Sequence, residues 1–129
     1  MSVEEPRNTV GSAEAEELRA RLAEQAASLR RRLDERSIKE EELRGDCLLD
    51  AADVSSATEA LRQHQADTEN DRTLLARVES ALDRLENGRF GYCARCGTEI
   101  DPDRLRALPH IEHCLRCQTE LERSQSASR

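Results

Sequence analysis

The chain has no tryptophan, and its single phenylalanine and single tyrosine make up an aromatic content of 2%. Phe90 and Tyr92 stand together just ahead of a cysteine. So few large rings exclude a thick globular core, and a domain of this size then needs another staple. Long apolar runs are also missing. Met1–Thr9 contains none, so neither a signal peptide nor a membrane span is expected. Lysine is almost absent, with Lys39 alone among the 20 Lys and Arg residues. The net charge is −7 with 36% charged residues, which favours little binding to phosphate backbones. No Ser-His-Asp arrangement and no P-loop is visible, so an enzyme is not expected. Reduced thiols without an export signal point to the cytoplasm.

What the chain does have is a cysteine pattern. Cys93-Ala94-Arg95-Cys96 and Cys114-Leu115-Arg116-Cys117 are separated by seventeen residues. Two CxxC knuckles at this distance form the four-thiolate pattern of a structural zinc site. Each short gap lets a turn aim two sulfurs at one ion, and Gly97 suits the backbone of such a turn. One Zn2+ held by Cys93, Cys96, Cys114 and Cys117 leaves no position for a catalytic water, and such sites contribute on the order of 10 kcal/mol to folding. Two disulfides or a thioredoxin-like pair are the alternatives, and the matched second knuckle argues against both. His110 and His113 flank Cys114 and are read as exposed polar residues, because four thiolates already saturate zinc. Cys47 is the odd thiol, read either as a small apolar filler or as a redox sensor.

The remainder reads as helix. Residues 13–44 lack Gly and Pro and place Leu18, Leu22, Ala26, Leu29, Leu33 and Leu43 along one side. Gly45 is expected to end this helix. A second helix is expected from Ser56, where Ser56-Ala57-Thr58-Glu59 forms a capping box, to a stop at Asn87-Gly88. Leu61, His64, Thr68, Asp71, Leu75, Val78, Leu82 and Leu85 follow one heptad. An antiparallel pairing of residues whose numbers sum to about 104 matches leucine to leucine at both ends. It leaves a polar middle, with Arg36 opposite Thr68 and Arg32 and Leu33 near Asp71. The fold class is thus mainly α: a long antiparallel coiled-coil hairpin with a four-cysteine zinc module and a short C-terminal helix. The expected divisions are a loose tail over 1–12, the hairpin over 13–87 with its tip at about 45–56, the zinc module over 88–123, and a disordered tail over 124–129.

The tip combines acids and apolar side chains. Asp50 and Asp53 lie three apart and share a face in a helical turn. Leu48, Leu49 and Val54 have no evident core to enter. Such a mixture reads equally as a contact surface or as a loop folded back on the hairpin.

From the tip onward the chain resembles the DksA/TraR zinc-finger family. The shared residues are Gly88, Arg89, Phe90, Gly91, Tyr92, Cys93, Cys96, Gly97, Ile100, Arg104, Leu105, Ala107, Pro109, Cys114, Cys117 and Gln118. The resemblance covers roughly residues 15–123. It implies a helical hairpin rooted in a four-cysteine zinc module, and a protein that binds bacterial RNA polymerase by inserting the hairpin into the secondary channel. The family's tip motif, Asp-x-x-Asp-x-Ala, falls on Asp50, Asp53 and Ser55, with serine replacing alanine. Some members bind ppGpp at positions matching Arg77, Leu108 and Gln118. Only Arg77 is a cation here, so strong ppGpp coupling is not expected.

The resemblance therefore implies a non-enzymatic transcriptional regulator, expected to be a monomer. A DNA-binding zinc finger is the competing class. The acidic balance and the lack of a base-reading helix argue against direct sequence-specific DNA binding. A thiol-based redox-responsive regulator is the other alternative.

Overall fold

A computed structural model describes residues 8–49 and 54–127. Two long helices dominate: α1, Ser12–Leu49, and α2, Val54–Glu86. Two short ones follow, α3, Pro102–Ala107, and α4, Leu115–Ala127. An isolated antiparallel bridge joins Tyr92 to Glu99. The chain divides into two compact units, one made of 1–24 with 77–129 and the other of 25–76.

In the unit formed by 25–76, α1 and α2 run antiparallel as a hairpin. Arg32 Nη1 meets Asp71 Oδ1 at 3.2 Å and Arg36 Nε meets Asp71 Oδ2 at 2.8 Å. Arg36 Nη1 also lies 3.8 Å from Asp67 Oδ2, and Gln65 Nε2 donates to Glu40 Oε1 at 3.3 Å. As one number rises the other falls, and each pair keeps the expected sum to within about one turn of helix. His64 Nε2 lies 2.6 Å from the Arg36 carbonyl, and Thr68 Oγ1 donates to the His64 carbonyl at 2.8 Å. The expected polar middle is therefore a hydrogen-bonded belt. Asp71 is only 8% exposed, and its carboxylate answers two guanidinium groups at once.

In the other unit the heptad packs on aliphatic residues. Leu18, Leu22, Val78, Ala81 and Leu85 are buried, as are Phe90, Ile100 and Leu105 around the cysteine segment in sequence. Burying each large aliphatic side chain stabilises by about 1.5–3 kcal/mol, so a thin core with one phenylalanine is sufficient.

The helix ends differ from expectation in two places. α1 runs through Gly45, whose φ is not positive, and continues to Leu49. A glycine inside a helix costs only about 1 kcal/mol, which the surrounding helix formers absorb. α2 is already helical at Val54, so Ser56 lies inside its first turn and not at its cap. The Asn87-Gly88 stop is realised as a Schellman motif. Gly88 has φ +70°, Arg89 N–H donates to Arg84 C=O at 2.8 Å and Gly88 N–H to Leu85 C=O at 3.4 Å. Residues 124–127, expected in a tail, continue α4. Asn8 and Thr9, also expected in a tail, are hydrogen-bonded to Leu85 and Phe90.

Candidate metal centre

The first cysteine pair sits on a tight ribbon. Cys93 N–H donates to Thr98 C=O at 2.8 Å, and Gly97 N–H donates back to Cys93 C=O at 2.9 Å. Gly97 takes φ +77°, the left-handed conformation that lets the ribbon fold over Cys96. The second pair is built on a helix start. Cys114 precedes α4, and its carbonyl accepts from Gln118 N–H at 2.9 Å. Cys114 and Cys117, three apart, then face the same way. Ala94 N–H donates to Glu112 C=O at 2.8 Å and holds the two segments together. Between them, α3 is set by Asp101, whose carboxylate accepts from Asp103 N–H at 3.0 Å, with Pro102 at the first helical position.

The sulfurs of Cys93, Cys96, Cys114 and Cys117 all lie within 4.8 Å of one another. Cys96 Sγ and Cys114 Sγ are 3.7 Å apart. A tetrahedron with ~2.3 Å metal–sulfur bonds has edges of about 3.8 Å, whereas a disulfide requires about 2.05 Å. The thiols are unequal. Burial pushes Cys93 up, but the backbone N–H groups of Cys114, Cys96 and Arg95 outweigh it and bring it down to about 6. The Thr98 hydroxyl, 2.8 Å away, lowers Cys96. Burial and then the neighbouring thiols push Cys117 up to about 12. Four sulfurs this close can all become thiolates only around a cation, and this is the donor set of a closed, tetrahedral zinc site.

Residues 88–123 match the family model of the prokaryotic dksA/traR C4-type zinc finger. Over these residues the chain is similar to the DksA/TraR zinc finger. This match and the clustered thiols fit one structural zinc. An uncharacterized protein of Aquifex aeolicus is 43% identical over 49 residues, which cover 38% of this chain and 34% of that one. The RNA polymerase-binding transcription factor DksA of Haemophilus influenzae is 34% identical over 73 residues, covering 57% of this chain and 50% of the relative. The chain thus spans half or less of the length of these curated relatives. The structure of transcription factor DksA2 from Pseudomonas aeruginosa superposes with a TM-score of 0.74 at 25% identity, over 89% of this chain and 88% of that one.

Beside the four-cysteine finger lies a cavity of about 310 Å³. Arg77, Leu108 and Gln118, the three positions grouped by the family resemblance, all line it. His110 and His113 line it too, and neither is an exposed polar residue as expected: both are half-buried. Burial lowers the His110 pKa, Arg77 lowers it further, and Glu112 opposes. Arg104 Nη1, also at the cavity, donates to the His113 carbonyl at 3.3 Å. The heptad reading gave no hint of Arg84, which is half-buried and lowered by burial against an opposing Glu112. Its position falls next to the core residue Leu85, the one local sign that it would be drawn inward.

Of the tip residues, Ser55 is exposed in the first turn of α2. Asp50 and Asp53 lie outside the described residues. Among the described residues, no helix is long and apolar enough to cross a membrane.

Proposed function

We propose that this protein is a zinc-stabilised regulator of transcription that binds bacterial RNA polymerase and acts without catalysing a reaction. In this reading Cys93, Cys96, Cys114 and Cys117 are the four ligands of one zinc, which fixes the ribbon, α3 and α4 as one base. The hairpin enters the secondary channel, and Asp50, Asp53 and Ser55 at its tip alter promoter complexes there. The protein works in the cytoplasm as a monomer. The observation that carries the reading is the DksA2-like fold over 89% of the chain, joined to a DksA/TraR finger in the same chain.

Affinity and activity separate in this mechanism. The hairpin and base supply most of the contact area, so binding survives the loss of one charge. Regulation needs negative charge at the tip. Asp53→Asn keeps the shape and removes the charge. It is expected to abolish most of the effect in run-off transcription while competition binding to polymerase is nearly unchanged. Wild-type transcription by Asp53→Asn would reject a functional tip, and failure of the intact protein to retain polymerase in a pull-down would reject the partner. Of the three cavity positions matching the ppGpp junction, Arg77 is the only cation, so ppGpp adds little to this protein's effect. A strong synergy with ppGpp in the unaltered protein would overturn that part.

A further inference from the structure

Both backbone polar groups of Phe90 are taken by a segment more than eighty residues earlier. Phe90 N–H donates to Asn8 Oδ1 at 2.9 Å, and Phe90 C=O accepts from Thr9 N–H at 2.9 Å. The other end of the same amide, Asn8 Nδ2, donates to Leu85 C=O at 3.3 Å, inside the Schellman turn that ends α2. One asparagine side chain therefore bridges the end of α2 to the ribbon that leads into Cys93. Thr9 closes over the next residue. Gly91 has φ +97°, and a Cβ placed there would collide with the Thr9 side chain. Gly91 is itself buried, and its carbonyl accepts from Ile100 N–H at 2.8 Å on the far side of the ribbon. Phe90, fully buried, is the ring on which the ribbon rests.

From these contacts we infer that Asn8 and Thr9 form a clasp on the zinc ribbon that controls how readily the metal is surrendered. The inference rests on the four-cysteine zinc reading. A metal in a closed site of four thiolates leaves only when the ligand segments open locally, and the ease of that opening depends on the contacts holding them. The segment carrying Cys93 opens by withdrawing Phe90. With the clasp in place, that motion breaks the bonds to Asn8 and Thr9 as well. Without it, the Phe90 amide and carbonyl are free for water. The clasp touches none of the four sulfurs, so it acts on the rate of exchange and leaves the ligand set alone. A competing zinc chelator or an apo-metalloprotein is the kind of agent whose access it limits.

The test uses the full chain carrying one equivalent of zinc. Transfer of zinc to 4-(2-pyridylazo)resorcinol is followed at neutral pH, alongside hydrogen exchange of the Phe90 amide. Asn8→Ala is expected to release zinc about tenfold faster, as two hydrogen bonds and the local closure they support are lost, and to expose the Phe90 amide. Zinc content stays at one per chain. Should Asn8→Ala lose helix content, Asn8→Asp keeps the acceptor for Phe90 and gives a smaller rise, about threefold. Equal release rates with one zinc bound overturn the clasp, as does unchanged exchange at Phe90. Absence of zinc from both proteins overturns the metal reading instead, and the exchange measurement still decides whether Asn8 holds the ribbon.

Discussion

Leu22 is fully buried in a core that contains one phenylalanine, so each aliphatic position there carries a large share of the stability. Leu22→Ala is expected to cost about 2–5 kcal/mol, measured by urea denaturation with zinc in excess. Cys114→Ser should lower bound zinc from one per chain to well below one, by elemental analysis of reduced protein, because a hydroxyl replaces a thiolate ligand. His110 gives a pH prediction. Its folded pKa is lowered, first by burial, so the unfolded chain takes up the proton more readily. The stability this histidine supports is complete above its unfolded pKa of about 6.5 and is lost as pH falls below it. His110→Asn should flatten that part of the stability–pH curve relative to wild type. An identical slope in both proteins would assign the acid sensitivity to groups other than His110.

At the scale of elements, the heptad of α2 is the best-read feature of the chain. Every one of its eight positions, from Leu61 to Leu85, is buried or half-buried. The polar members are not errors in the pattern. Asp71, His64 and Thr68 form the belt with Arg32 and Arg36, which aligns the two helices in one register. Asp71→Ala leaves two guanidinium groups without their shared partner. Arg32 is half exposed, so the expected cost is about 1–3 kcal/mol, below that of a fully buried pair. Thermal unfolding of that variant checks it. Local signals at helix ends were read less well. Gly45 is a good terminator and Ser56 a good cap, yet α1 runs on to Leu49 and α2 is already helical at Val54. Gly88 succeeded where Gly45 did not because Asn87 precedes it and the chain must turn there into the ribbon, which holds φ at +70°.

At the scale of the molecule, the cysteine spacing and the antiparallel register made the two parts legible, because both are periodic or short-range. Asn8 was not legible. An asparagine in a polar stretch has no periodicity, and its partners lie beyond any local window. The two units give a final prediction. Zinc removal by EDTA should abolish hydrogen-exchange protection of the Cys93 and Ile100 amides, whose bonds lie on the ribbon. The hydrogen-bonded belt lies wholly within 25–76, so the amides of that stretch should lose far less protection. Equal loss in both would mean that the metal supports the fold as a whole. The division also orders events during synthesis. Residues 25–76 are complete before the ribosome has made any of 77–129, so that unit has its full set of partners early. Asn8 leaves the exit tunnel long before Phe90 exists, and it waits through the making of some eighty residues for a partner. The earliest-made part of the base is thus among the last to be fastened, and any partner of the nascent chain meets it unfastened.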